Sequence, residues 1–272
     1  MIPVIFENGV FAIYTLWIFI AIAVVASTYT LIKLSLRNGL KLQFLSDNSF
    51  KLFLVGILGA RILGVIVNFD TYFYGFTLDN VLQVLYIWDK NLNIWGGLLA
   101  ALFYLYKICK RDDQDFLKWL DVIIPSLIIG IGIGSLGAFF DGINYGKETS
   151  LPWGVNFENP SIKYTVPIHP TQIYAFIYSA IIAIILVLAG QRKDIEDETP
   201  SGLVSIVGIF LFNLMKFLEE FLRGDDTLLL FDIRVSQALT LVVLISSGII
   251  LFKRYNTSAK KLFKKRKKTS KN

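Results

Sequence analysis

The chain of 272 residues contains one cysteine and one histidine, and each scarcity removes a class of chemistry. A lone Cys109 cannot form an internal disulfide and reads as a small apolar filler at the end of an apolar run. A lone His169 excludes a histidine-rich metal site or proton relay. The sequence also has no phosphate-binding glycine loop, no dinucleotide fingerprint, no cluster of metal ligands and no internal repeat, so neither a metal nor an organic cofactor is expected. The ten-residue alternating segments of a membrane β-barrel are missing as well. The start, "MIPVIFENGVFAIYTL", lacks a basic n-region and a small-residue cleavage site; an uncleaved first helix is expected there rather than a signal peptide.

What the chain has in abundance is apolar. Such residues make up 54% of it, mean hydropathy is +0.59, and they collect in long runs instead of spreading at helical or strand period. The expectation is an all-α integral membrane protein. A bilayer core about 30 Å thick needs roughly 20 apolar residues per helical crossing. Seven runs qualify, near 10–32, 48–68, 93–108, 118–140, 171–190, 202–222 and 236–253. Residues 1–254 then form a membrane domain of seven transmembrane helices, and 255–272 a basic tail.

Orientation follows from the positive charges of the short connections. Lys33, Arg37, Lys41 and Lys51, then Lys107, Lys110, Arg111 and Lys118, then Arg192 and Lys193, alternate with segments that are acidic or nearly neutral. The basic side is read as cytoplasmic. The tail "KRYNTSAKKLFKKRKKTSKN" carries much of the net charge of +6 and agrees, placing the N-terminus outside and the C-terminus in the cytoplasm. Such a stretch contributes on the order of 1 kcal/mol per basic residue at an anionic leaflet; a membrane surface, not nucleic acid, is its expected partner.

Three exterior segments, 69–92, 141–170 and 223–235, hold most of the unusual polar residues. Arg61, in "LVGILGARILGVIVNF", falls mid-span, where an arginine costs roughly 2.5–3.5 kcal/mol on insertion scales. It serves either a buried structural role or a functional one. Lys216, Glu220 and Arg223 in "NLMKFLEEFLRGDD" are four and three apart and share one helix face. There Glu220 can pair with both cations, leaving Arg223 as a planar fork for a phosphate, or the three form an interfacial ladder. In "VPIHPTQIY", His169 precedes a proline at a helix start, with Gln172 and Tyr174 opening the span.

These pieces resemble a known family. Gly134, Gly137, Phe139, Gly142, Gly146, Thr149, Pro152, Trp153, Gly154 and Phe157 fit the signature of bacterial prolipoprotein diacylglyceryl transferase. Pro3, Tyr14, "GARILGVI", "IWGGLLA", "HPTQIY", "KFLEEFLR" and Gln237 follow in the same order over almost the whole chain. The resemblance implies transfer of the diacylglyceryl group of phosphatidylglycerol to the lipobox cysteine of a lipoprotein precursor, at the outer face of the bacterial plasma membrane. It implies catalytic roles for Arg223, Glu220, Lys216 and His169, and substrate contacts for Tyr14, Arg61, Gln172, Asp141, Gly137 and Gly146. Against the family pattern, Trp95 stands for a histidine, Ser135 and Lys216 for arginines, Ala138 and Asp141 for asparagines, and Ile143 and Ala175 for glutamates. Three readings stay open on these residues: a working transferase, a non-catalytic relative that binds phospholipid or lipoprotein precursor, and an unrelated transporter.

Overall fold

Residues 4–14 hold two short, largely apolar stretches rich in Val, Ile, Phe and Tyr, residue types that favour strands. In the computed structural model of the chain, β1 (Val4–Asn8) and β2 (Phe11–Tyr14) accordingly pair antiparallel. The first helix therefore begins at Thr15 and not near residue 10. The structure describes residues 4–8, 11–73, 82–86, 92–157, 162–189, 200–227, 229–230 and 232–269, without the side chains of 7, 11, 71, 229, 230 and 255–269. Pro3, Arg192, Lys193 and, within the expected exterior segments, 74–81, 87–91, 158–161, 228 and 231 lie outside the described residues.

A helix occupies each of the seven apolar runs: α1 (Thr15–Arg37), α2 (Leu42–Val67), α4 (Ile94–Arg111), α5 (Phe116–Asp141), α6 (Thr171–Ala189), α7 (Leu203–Glu220) and α8 (Val235–Thr269). The short α3 (Phe69–Phe73) follows α2, and a small hairpin, β3 (Leu229–Leu230) with β4 (Ile233–Arg234), leads into α8. Five helices are long and apolar enough to cross a membrane: α1, α2, α5, α6 and Val235–Arg254 of α8. The other two are 18 residues each and carry three charges near their ends: Lys107, Lys110 and Arg111 in α4, and Lys216, Glu219 and Glu220 in α7. Large apolar side chains such as Trp17, Val25, Phe50 and Phe252 stand exposed on these helices, as suits a protein solvated by lipid. The chain is an α-helical membrane protein.

Contacts gather the chain into two compact units: Met1–Leu34 with Leu120–Asn272, and Ser35–Trp119. In lipid, apolar burial gives little drive between helices, so small residues that let backbones meet decide the packing. In the smaller unit Gly59 and Gly96 bring α2 and α4 together; a Cβ on Gly96 would lie 2.3 Å from the Gly59 carbonyl oxygen. In the larger unit the glycines of α5 do the same. Gly130 and Gly137 abut Ser27 and Phe19 of α1, and Gly132 abuts Ser179 of α6. Ile128, Ala175, Tyr178, Ile182, Ala183 and Leu186 form the apolar centre between α5 and α6, with Val204, Val207 and Leu211 of α7 against it. Asp121 of α5 fixes the start of α7 by accepting from the Gly202 and Ser205 amides at 2.5 and 2.7 Å, which satisfies donors a helix start leaves open.

Candidate functional site

The connection between α5 and α6 is a structured element of the larger unit. Tyr145, Ile162 and Ile168 bury themselves in it, with Phe157 and Tyr164 against them. Gly146 stands at its centre. Its amide donates to the His169 carbonyl at 3.1 Å, and it bridges to Arg223 in antiparallel fashion. The Lys147 amide donates to the Leu222 carbonyl, and the Gly224 amide to the Tyr145 carbonyl. A side chain at Gly146 would strike the His169 backbone at 2.4 Å, and one at Gly224 would strike the Gly146 carbonyl at 2.5 Å. Both glycines are thus required by close backbone approach. Through them the His169 segment and the Arg223 segment meet at one end of the bundle.

An alternating cluster of charges is built there. Glu220, 1% exposed, accepts from Arg234 Nε at 3.0 Å and Ser236 Oγ at 2.8 Å. Asp225 receives Arg223 Nε at 2.8 Å on Oδ1 and Arg223 NH2 on Oδ2, while Arg234 NH2 also donates to its Oδ1 at 2.8 Å. Arg234 NH1 donates to the Asp225 backbone carbonyl at 3.0 Å, and Arg223 NH2 to Asn144 Oδ1 at 2.9 Å. Lys216 pairs with Glu219 at 2.5 Å, and Glu219 accepts from the Tyr178 hydroxyl at 2.8 Å. Burial would push the Asp225 carboxyl up, but Arg223 and Arg234 hold it below the usual range. Burial opposes the charge on Arg223 too, and Asp225 with Glu220 outweighs it, raising the guanidinium further.

The expected pairing of Glu220 with both Lys216 and Arg223 is present, but α7 ends at Glu220, so Arg223 stands in the turn beyond the helix, bridged to Gly146, and not on its face. Glu220 forms long ion pairs with Lys216 at 3.6 Å and Arg223 at 3.5 Å, and its shorter bonds are those from Arg234 and Ser236. The Arg223 fork is closed on Asp225. Sequence reasoning missed Arg234, Asp225, Ser236, Asn144, Glu219 and Tyr178. An arginine at the foot of the last span was the available signal for the first.

His169 takes part in a second network. Trp153 Nε1 donates to the Tyr174 hydroxyl at 2.8 Å, and that oxygen lies 3.2 Å from His169 Nδ1. Trp153 can only donate, so the Tyr174 proton is free to bond Nδ1, and in that arrangement the neutral ring carries its hydrogen on Nε2. Burial lowers the imidazole pKa. Gln172, 2% exposed, donates to the Ile143 carbonyl at 2.7 Å, and its Oε1 is buried without a partner among the described residues. Asp141 ends α5, and Tyr14, 43% exposed, ends β2. Gly137 packs α5 on α1. Arg61 belongs to the smaller unit. It is 4% exposed, donates from Nε and NH2 to the Val84 and Gln83 carbonyls at 2.9 and 2.6 Å, and lies 5.0 Å from the centre of the Tyr72 ring.

No group of three or more metal-ligating side chains occurs among the described residues. The family model for prolipoprotein diacylglyceryl transferase matches residues 3–253. A phosphatidylglycerol–prolipoprotein diacylglyceryl transferase of Clostridium tetani is 31% identical over 257 residues, covering 93% of this chain and 97% of its own. One of Finegoldia magna is 30% identical over 254 residues, covering 91% and 94%. One of Clostridioides difficile is 31% identical over 242 residues, covering 88% and 90%. Similarity along almost the full length of both partners sets aside an unrelated transporter. A helical membrane chain with charged side chains drawn to one end of its bundle, matched from residue 3 to residue 253, belongs to the prolipoprotein diacylglyceryl transferase family.

Proposed function

We propose that this chain transfers the diacylglyceryl group of phosphatidylglycerol to the thiol of a lipobox cysteine in a lipoprotein precursor. It does so from seven crossings of the bacterial inner membrane, with the site on the exterior side, residues 1–254 as the membrane domain and 255–272 as a cytoplasmic basic tail. In the reaction the sulfur bonds to the glyceryl carbon as that carbon's bond to the phosphate oxygen breaks. The phosphate keeps the electron pair and leaves as glycerol phosphate, and the thiol proton passes to a base or to water.

Departing phosphate gains charge as it leaves, so it needs preorganised cations in a site with little water. Arg223 and Lys216 serve it, Glu220 orients the cationic cluster, and Arg61 holds the headgroup or the helix around it. Tyr14, Gln172, Asp141, Gly137 and Gly146 shape the cleft in which lipid and peptide meet. His169, with Nδ1 engaged by Tyr174, presents an Nε2–H donor toward substrate oxygens, and accepts the thiol proton only after a change of tautomer.

The observation that carries this reading is the gathering of Lys216, Arg223 and Arg234 at one bundle end of a chain in this family. A non-catalytic lipid-binding relative is the second reading, favoured by Trp95 at the histidine position and by Asp225 on the Arg223 fork. The test uses membranes holding this chain, phosphatidylglycerol and a lipobox peptide with one cysteine. A diacylglyceryl mass shift, lost with Arg223→Ala, is expected; no adduct, where a motif-complete relative reacts, leaves the second reading.

A further inference from the structure

Asp225 holds two arginines at once. Its Oδ1 takes Arg223 Nε and Arg234 NH2, both at 2.8 Å, and its Oδ2 takes Arg223 NH2. A planar anion gripped in a bidentate fork with a third donor from a second guanidinium matches what a phosphate monoester needs, since its oxygens accept the same donors. Of the three carboxylates in the cluster, Asp225 is the one placed to leave. Glu220 has a fully buried side chain, Glu219 is 5% exposed, and Asp225 is 16% exposed and sits beside Asp226, which is 90% exposed.

Both arginines keep their places without the Asp225 side chain. Arg234 is also tied to Glu220 and to the Asp225 backbone carbonyl, and Arg223 to Asn144 and Glu220. The backbone under Asp225 is pinned by the Gly224 amide on the Tyr145 carbonyl. A side-chain rotation is thus enough to free three donors. Three cations, Lys216, Arg223 and Arg234, face three carboxylates, Glu219, Glu220 and Asp225. Rotating one carboxylate away leaves the cluster with a single positive excess.

We infer that Asp225 occupies the seat of a phosphate monoester, that it rotates out as the phosphate enters, and that Arg234 is a second phosphate ligand beside Arg223. The inference rests on the transferase reading and deepens it by naming the residues that hold the leaving group.

Titration calorimetry on the full chain in detergent, with sn-glycerol 1-phosphate and with inorganic phosphate, tests it. Asp225→Asn and, separately, Asp225→Ser should tighten binding about tenfold by removing an internal competitor bonded to charged donors. Arg234→Gln should weaken it about tenfold by removing a charge-assisted bond. Tightening of both ligands supports a seat that reads phosphate alone, and tightening of glycerol phosphate only supports one that reads the glycerol as well. Unchanged or weaker binding in an Asp225 variant that keeps the wild-type melting temperature overturns the inference, as does unchanged affinity in Arg234→Gln. Arg234→Gln stands as an independent arm should either Asp225 variant fail to fold. Diacylglyceryl transfer by the wild type is measured alongside. Transfer without the tightening sinks this inference alone, whereas tightening without transfer sinks the transferase reading alone.

Discussion

Glu220 is the most enclosed ionisable side chain of the cluster and organises it. Removing one partner of a buried ion pair leaves the other uncompensated, at a cost of about 3–5 kcal/mol. Glu220→Ala should therefore lower the melting temperature and abolish transfer. Glu220→Gln, which keeps an acceptor for Ser236, should recover part of the stability but little transfer; thermal unfolding with the peptide assay reads both. Gly146→Ala drives a methyl into the His169 backbone, an overpacking worth roughly 1–3 kcal/mol, and should displace the His169 and Arg223 segments together. Full stability and transfer in this variant would overturn that steric role. At His169, burial holds the folded pKa below the usual value, so between the two values the unfolded chain binds the extra proton. The stability due to the neutral ring is present above about pH 6.5, the ordinary imidazole value, and is lost as pH falls through the depressed value. A melting-temperature profile should dip in that acid window, and His169→Gln should flatten the dip.

Among the elements, α2 and α4 meet at glycines, and Gly96→Val should separate them, since its Cβ would sit 2.3 Å from a backbone oxygen that cannot move aside. A destabilisation of about 1–3 kcal/mol is expected, read as a fall in the detergent melting temperature; Gly39→Ala, at a turn with open space but positive φ, should cost less. Helix positions were legible because long apolar runs report a lipid solvent directly. Helix ends were less so. The run near 10–32 concealed the second strand of a hairpin, since β2, FAIY, is as apolar as the helix after it. The last helix continues to Thr269, past the expected end at 253, because Lys and Arg are good helix formers that a search for apolar residues passes over. Within the site, Lys216 and Glu220 were legible because i and i+4 neighbours share a helix face, and Arg223 was found by continuing that spacing past Glu220, where α7 in fact ends. Arg234, Asn144 and Ser236 were not, because only tertiary contact brings distant segments to that face. Asp225 was overlooked for a different reason: like Arg223 it lies beyond the end of α7, and helical spacing assigns no partner there.

For the whole molecule, the alternation of basic connections makes a topological prediction. Alkaline phosphatase inserted in the connection between α5 and α6 should be active, and fused after residue 272 it should be inactive; the reverse pattern would invert the orientation. The equal numbers of cations and carboxylates around Glu220 also bear on energetics at the scale of the cell. A net charge in the membrane field feels about 2.3 kcal/mol per 100 mV, but a cluster whose charges cancel feels almost no net force. Its assembly is therefore insensitive to voltage: an energised membrane and one collapsed by an ionophore hold the same arrangement, and the site needs no proton-motive force to stay in working order.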